Sequence, residues 1–161
     1  MFKFETSGNI EENYKLLAKA VQSHLADEPD LIANLANIAS FIYNALPDLN
    51  WAGFYLLQND TLVLGPFMGK PACTRIPLGR GVCGRAAAEN LTTVVADVHA
   101  FDDHIACDSD TNSEIVIPLV KDGEVFGVLD VDSPIYNRFG SVDTLWLTKI
   151  AGSINDFLNR K

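Results

Sequence analysis

Strand-like segments in the middle of the chain come in pairs joined by short polar turns, and this arrangement limits the fold more than any other feature. The first pair is residues 51 to 57 and 61 to 67, with a turn at Asn59-Asp60. The second pair is residues 114 to 120 and 124 to 132, with a turn at Lys121-Asp122-Gly123. Polar turns of this length between apolar runs are typical of β-hairpins. With a further extended segment at residues 92 to 96, we expect a mainly antiparallel sheet of about six strands.

Helical patterns frame these hairpins at both ends of the chain. Asn9 opens a capping-box-like start, after which apolar residues recur at helical spacing. Pro29-Asp30 opens a second helix that Pro47 stops, a short helix is predicted over residues 82 to 89, and an amphipathic helix over residues 142 to 158. We therefore expect an α+β fold in which the helices are grouped on one face of the sheet.

Length and composition indicate one soluble domain over residues 1 to 161. A chain of 161 residues buries about 70% of the surface that its unfolded form exposes, so it needs no disulfide for stability. The N-terminus lacks the pattern of a signal peptide, and no apolar run approaches the roughly 20 residues that span a bilayer. We expect a cytoplasmic protein. A net charge of −9 argues against binding to nucleic acid or to an anionic membrane.

The three cysteines, Cys73, Cys83 and Cys107, lie in two runs in the middle of the chain. An odd number of cysteines in a reducing compartment argues against a structural disulfide framework and leaves thiols available for chemistry. A thiol that is oxidised and then re-reduced by a neighbour needs a second cysteine with its Cα roughly 4.4 to 6.8 Å away. Both runs adjoin strand-like segments that could meet in one core.

Five motifs together carry a resemblance to a known family. They are Trp51-Ala52-Gly53-Phe54-Tyr55, Cys73-Thr74-Arg75-Ile76-Pro77 with Gly79-Arg80-Gly81-Val82-Cys83-Gly84, His104-Ile105-Ala106-Cys107-Asp108, Ser113-Glu114-Ile115-Val116-Ile117-Pro118, and Gly127-Val128-Leu129-Asp130-Val131-Asp132-Ser133. The chain resembles the free methionine-(R)-sulfoxide reductases, which are built on the GAF fold, from about Tyr14 to the C-terminus. All three family cysteines occur at family spacing.

The resemblance implies a thiol-dependent reduction of free methionine sulfoxide. It makes Cys107 the nucleophile, Cys73 the thiol that condenses with the resulting sulfenic acid, and Cys83 an auxiliary or alternative resolver. It also implies an external dithiol, thioredoxin, as the reductant, with neither a cofactor nor a metal ion. For the oligomeric state we favour a homodimer.

The same resemblance places three acids and two aromatic residues in the pocket. Glu114, Asp130 and Asp132 line it, where clustered carboxylates hold one proton at a raised pKa and could deliver it to the sulfoxide oxygen. The remaining negative charge suits the ammonium group of the substrate. Trp51 and Tyr55 supply an apolar wall for the methyl group on sulfur.

Each assignment has a structural alternative. From the residues alone, Cys83 and the two aromatic residues could simply pack in the core. His104, three residues before Cys107, is the nearest titratable group that could activate that thiol, but its ring could equally hydrogen-bond a loop carbonyl. Asp130 and Asp132 lie two apart on one strand face, where acids are usually exposed.

Other functional classes compete with a reductase. A GAF domain can be a non-catalytic sensor of a small ligand, although sensors usually regulate an output domain. Cys73, Cys83, His104 and Cys107 could form a Cys3His zinc site, but the chain lacks the close Cys-x2-Cys pair of structural zinc sites. A papain-like hydrolase would need a histidine distant in sequence to orient the thiol. The other two histidines, His24 and His99, lack any partner pattern. Loss of two thiols on exposure to methionine sulfoxide would separate the reductase from the others.

Overall fold

Among Glu5 and residues 7–161, which the computed structural model describes, four α-helices and six β-strands form a single sheet with its covering layers. The helices are α1 (Ile10–Asp27), α2 (Leu31–Ala45), α3 (Gly81–Glu89) and α4 (Ser141–Leu158). The strands are β1 (Trp51–Gln58), β2 (Thr61–Gly69), β3 (Arg75–Pro77), β4 (Thr93–Val95), β5 (Ser113–Lys121) and β6 (Glu124–Ser133). Each predicted helix and strand is present, whereas β3 and a short 3-10 helix at Val98–Ala100 had no sequence prediction.

The first two helices begin at the polar residues that the sequence indicates. The Asn9 side chain accepts hydrogen bonds from the backbone N–H groups of Glu11 and Glu12, at 3.0 and 3.3 Å. Asp30 accepts one from Ala33 at 2.8 Å. These caps satisfy amide groups that the first turn of a helix leaves unpaired.

The strand order β3-β2-β1-β6-β5-β4 brings the two hairpins together at the centre of the sheet. All neighbouring strands are antiparallel. The turn residues Asn59, Asp122 and Gly123 adopt positive φ, as tight hairpin turns require. Because β1 pairs with β6, Trp51 lies opposite Asp132 and Gly53 lies opposite Asp130.

The two faces of the sheet are covered by different elements. Helices α2 and α4 pack on one face over apolar residues such as Phe54 and Leu129, and α1 packs against these two helices. We call this the helical face. Helix α3 packs on the opposite face with Trp51 and Tyr55, and we call this the pocket face. The prediction that the helices share one face is therefore wrong for α3. Its apolar side is short and made of small residues, which fits a close approach to the sheet rather than packing against long helices.

One charged cluster is buried on the helical face, and all its members are paired. The Asp143 carboxylate accepts hydrogen bonds from the Tyr14 hydroxyl at 2.6 Å, from Arg138 at 2.9 Å and from the Gly140 N–H at 2.9 Å. Burial and the neighbouring Asp143 raise the pKa of Tyr14, so its hydroxyl stays a proton donor. Hydrogen bonds to every member are what a buried ion pair requires.

Among the described residues, no helix is both long enough and apolar enough to cross a membrane.

Candidate active site

A disulfide between Cys73 and Cys107 lies at the edge of a cavity on the pocket face. Cys73 follows β2, and Cys107 lies in the long loop of residues 101–112. Their Cα atoms are 5.3 Å apart, within the usual range for a disulfide. The cysteine runs thus meet as the sequence suggested, and the pair that is joined is the one that the family resemblance implies.

Polar contacts hold the Cys107 loop against the rest of the domain. The side-chain amide of Asn50 donates hydrogen bonds to Asp108 at 3.0 Å and to Thr111 at 2.9 Å. Nearer the start of the loop, Arg80 forms a two-bond ion pair with Asp103, at 2.6 and 2.8 Å. Lys70, next to the Cys73 segment, pairs with Asp110. The position of Cys107 therefore depends on contacts from three separate segments.

Three carboxyl groups form the floor of the cavity. Glu114 is on β5, and Asp130 and Asp132 are on the adjacent β6, where Glu114 lies directly opposite Asp132. Glu114 and Asp130 are each 6% exposed, and Asp132 is partly buried. Side chains alternate between the faces of a strand, so the register places all three acids on the pocket face. The alternative that the two aspartates are exposed surface acids is therefore wrong.

Little in the cavity compensates the charge of these acids. One oxygen of Asp130 and one of Asp132, Oδ1 in both, are buried without a hydrogen-bond partner among the described residues. Burial raises the pKa of Glu114 to about 6, although hydrogen bonding to Asp130 and Cys83 acts in the opposite direction. Burial, followed by the charges of the neighbouring acids, raises the pKa of Asp130 and of Asp132 well above the usual range. A cluster of this kind holds protons at neutral pH and loses them in separate steps, each of which belongs to the cluster rather than to one residue.

Cys83 is a buried thiol beside the acids. It lies in the first turn of α3, is 4% exposed, and its Sγ is 3.8 Å from Oε1 of Glu114. Burial, and then the charges of Asp130 and Glu114, raise the pKa of this thiol well above its usual value. Cys83 therefore packs in the core, as the structural alternative predicted, and it also lines the cavity.

Trp51 and Tyr55 form an aromatic wall that also packs in the core. Both are 2% exposed, and both line the cavity. The Tyr55 hydroxyl donates to the carbonyl of Cys73 at 2.8 Å, and the Trp51 ring stacks on Phe67 with 5.3 Å between ring centroids. Gly53 lies between the two aromatic residues on β1, where any Cβ would collide with the Trp51 ring at 2.8 Å. These side chains therefore both pack in the core and line the cavity.

His104 lines the cavity, and its ring has no hydrogen-bond partner among the described residues. The alternative in which this ring bonds a loop carbonyl is therefore wrong. Partial burial, and then the nearby His99, lower the pKa of His104. Its imidazole is neutral at pH 7 and can accept a proton.

The cavity is partly open to solvent, so a small molecule can enter it. It brings together Trp51, Tyr55, Cys83, Cys107, Glu114, Asp130 and Asp132, and Cys73 reaches it through the disulfide. Ile105, Asp108 and Thr111 also line it and were not singled out from the sequence. Ile105 and Asp108 belong to the Cys107 motif, and Thr111 follows it in the same loop. This was the available signal, because a loop that carries one pocket residue usually carries more.

The donor atoms in the cavity do not form the Cys3His zinc site considered from the sequence. Cys73 and Cys107 are joined to each other, so neither sulfur is a thiolate ligand in this state. A different set lies close together, namely Sγ of Cys83 and carboxylate oxygens of Glu114 and Asp130, all within 4.8 Å of one another.

Comparison with known proteins identifies close relatives over nearly the whole chain. A family model of the GAF domain matches residues 30–156. A protein of Escherichia coli (strain K12) named free methionine-R-sulfoxide reductase is 49% identical over 150 residues, 93% of this chain and 91% of that protein. A protein of the same name from Saccharomyces cerevisiae is 41% identical over 160 residues, 94% of this chain and 89% of that protein.

A solved structure has the same fold over nearly the whole chain. The X-ray structure of free methionine-R-sulfoxide reductase from Neisseria meningitidis in complex with its substrate is 45% identical. It superposes with a TM-score of 0.93 over 98% of this chain and 96% of that one.

Proposed function

The chain belongs to the family of free methionine-R-sulfoxide reductases built on the GAF fold, and we propose that it reduces free L-methionine-(R)-sulfoxide to L-methionine. The observation that carries this proposal is the Cys73–Cys107 disulfide at the edge of a cavity floored by three buried acids. A sulfoxide reductase needs a redox-active thiol pair and a proton source in one pocket, and this cavity holds both kinds of group.

In the first step, the thiolate of Cys107 attacks the sulfoxide sulfur while a proton is transferred to the sulfoxide oxygen. The S–O bond of the substrate then breaks, the hydroxyl group moves to the Cys107 sulfur, and the transient S–S bond breaks. Methionine leaves as a thioether and Cys107 becomes a sulfenic acid. The two electrons come from the cysteine sulfur. Since a thiol is only a few per cent ionised at pH 7, the neutral imidazole of His104 is the candidate acceptor of the Cys107 proton.

The acid cluster is the proposed proton donor. Three carboxyl groups that face each other in a buried site cannot all be ionised at neutral pH, so at least one proton stays among them. We assign delivery of that proton to Glu114 and Asp132. Asp130 is assigned to binding of the substrate ammonium group, which the residual negative charge of the whole cluster attracts. A bound ammonium would also supply the partner that the buried Oδ1 atoms lack. Trp51 and Tyr55 would contact the methyl group on sulfur.

In the second step, the Cys73 thiol attacks the sulfenic sulfur of Cys107, which forms the disulfide and releases water. The disulfide in the structure supports this assignment because it joins the same two residues. The dithiol of thioredoxin then reduces the disulfide and is itself oxidised. Cys83 has an auxiliary role in this scheme, because its high pKa and deep burial make it a slower resolver than Cys73.

The proposal is tested by supplying racemic free methionine sulfoxide with thioredoxin, thioredoxin reductase and NADPH. We expect the R epimer to disappear, the S epimer to remain, and methionine to form in proportion to the NADPH consumed. A protein that binds the sulfoxide but consumes neither epimer would instead be a sensor, and loss of the S epimer alone would refute the stereochemical assignment.

A further inference from the structure

One thiol stays available when Cys73 and Cys107 are joined. The sequence contains three cysteines, so in the oxidised protein Cys83 is the remaining thiol. Its Sγ faces the carboxylates of Glu114 and Asp130, and the three donor atoms lie within 4.8 Å of one another. The three residues lie on α3, β5 and β6, so packed secondary structure holds their backbones in place.

This donor set carries an uncompensated oxygen. Asp130 is 6% exposed, and its Oδ1 atom has no hydrogen-bond partner among the described residues. The described residues that line the cavity include four acids, among them Asp108, and neither lysine nor arginine. A buried carboxylate oxygen without a partner is costly, and a bound cation is one of the groups that removes this cost.

The spacing fits a tetrahedral metal ion. With Zn–S near 2.3 Å and Zn–O near 2.0 Å, neighbouring ligand atoms in a tetrahedron are about 3.3 to 3.5 Å apart. The Sγ of Cys83 and Oε1 of Glu114 are 3.8 Å apart, so small side-chain rotations bring them to that distance. A thiolate ligand favours zinc and similar soft or borderline ions over magnesium and calcium, which prefer an all-oxygen shell.

From this geometry we propose that Cys83, Glu114 and Asp130 bind a divalent transition-metal ion such as Zn²⁺ or Cd²⁺, and that the site is present even when the disulfide is formed. Binding releases to solvent the Cys83 thiol proton and any proton that Glu114 and Asp130 hold. The fourth ligand position is open to water from the cavity. The ion would neutralise the acids and occupy the floor of the cavity. Metal binding and occupation of the pocket by a cationic group would therefore exclude each other.

The experiment uses the oxidised protein, freed of metal by a chelator and kept without added thiols, and titrates it with Cd²⁺ alone. We expect one ion to bind per chain, with the ultraviolet charge-transfer band of a cadmium–thiolate bond. Cys83→Ser should remove the band and weaken binding by at least about 100-fold, the upper end of the effect that even outer-shell changes have on metal affinity. Asp130→Asn should weaken binding about 10-fold or more.

Asp108→Asn is the matched control, because it makes the same chemical change in an acid that lines the same cavity but lies outside the donor set. It should leave the affinity within about threefold, well below the outer-shell effect. The proposal is overturned if the oxidised wild-type protein shows no thiolate band, if tight binding persists in Cys83→Ser, or if the two aspartate variants lose equal affinity. The titration involves no turnover, so each of these results leaves the reductase proposal to be judged by its own assay.

Discussion

The two faces of the sheet bury carboxylic acids to the same depth and surround them differently. On the helical face, Asp143 is 5% exposed and accepts hydrogen bonds from Tyr14, Arg138 and Gly140. On the pocket face, Asp130 is 6% exposed and has a buried oxygen without any partner among the described residues. The two carboxyl groups are thus equally buried, but within the described part of the chain only that of Asp143 has hydrogen-bond donors that compensate its charge.

This difference separates acids that support the fold from acids that are available for chemistry. A buried carboxylate with a full set of donors is satisfied by the protein, and removing it leaves its partners unpaired. A buried carboxylate that faces other acids keeps a proton and attracts a cation, which suits catalysis and binding. Changes on the pocket face should therefore affect activity at little cost in stability, and changes on the helical face should do the reverse.

The largest effect is expected for Cys107→Ser. Because no other thiol is assigned to attack the sulfoxide, this variant should lose both steady-state turnover and the single-turnover release of methionine, while its melting temperature in the reduced state matches that of the reduced wild type. Rapid quench with one equivalent of substrate measures the release. Cys73→Ser is the matched control and should keep the methionine burst but lose recycling by thioredoxin, unless Cys83 replaces it. A methionine burst from Cys107→Ser would refute the nucleophile assignment.

The next largest effect is expected for neutralising the proton donors. Loss of a general acid typically lowers the rate by about 100-fold to 10,000-fold, so Glu114→Gln and Asp132→Asn should lower kcat by that factor. Their melting temperatures should be unchanged or raised, because a repulsive buried charge has been removed. The exposed Glu124, on the same hairpin, provides the control Glu124→Gln, which should alter neither quantity. Parallel losses of activity and stability would mean that these acids support the structure.

Asp143→Asn and Asp130→Asn make the same chemical change on opposite faces. Asp143→Asn leaves Arg138 buried without its anion, and breaking a buried pair costs about 3 to 5 kcal/mol of unfolding free energy. Asp130→Asn should cost no stability and should raise KM, because Asp130 is assigned to the substrate ammonium. Urea unfolding and steady-state kinetics measure both quantities. Equal destabilisation by the two substitutions would remove the distinction between the faces.

The smallest effect is a pH-dependent stability difference at Glu114. Burial raises the pKa of this residue from 4.5 to about 6, so its protonated form stabilises the fold below about pH 4.5, and that contribution is lost as the pH rises through 6. Glutamine has no proton to lose. The stability of Glu114→Gln relative to wild type should therefore increase between pH 4.5 and 7, by up to about 2 kcal/mol. Unfolding at a series of pH values tests this, and a difference that is constant with pH would contradict the assigned shift.

The sequence predicted local structure well because its signals are local. The turns at Asn59 and Asp122 and the caps at Asn9 and Asp30 depend on neighbouring residues, and the corresponding elements lie where they were expected. The placement of α3 on the pocket face was not predicted. This placement depends on contacts with strands that are distant in sequence. The spacing of apolar residues within a helix does not indicate which strands the helix contacts.

The sequence indicated residues that line the cavity but not how they are arranged in it. The family motifs identified the cysteines, the acids and the aromatic wall. The pairing of β1 with β6, which sets Asp132 opposite Trp51, depends on the order of strands in the sheet. The Asn50 contacts to Asp108 and Thr111 join residues 58 and 61 positions apart, and no sequence pattern indicated them.

The most direct test of whether the pocket face is a reductase site starts from the fully reduced protein. The protein is treated with one equivalent of free methionine-(R)-sulfoxide, the remaining thiols are blocked, and the peptides are mapped. We expect one equivalent of methionine, loss of two thiols, a disulfide joining Cys73 to Cys107, and alkylated Cys83. A dominant bond from Cys83 to Cys107 would reverse the resolver assignment. Three free thiols and no methionine would mean that this face of the sheet is not a reductase site.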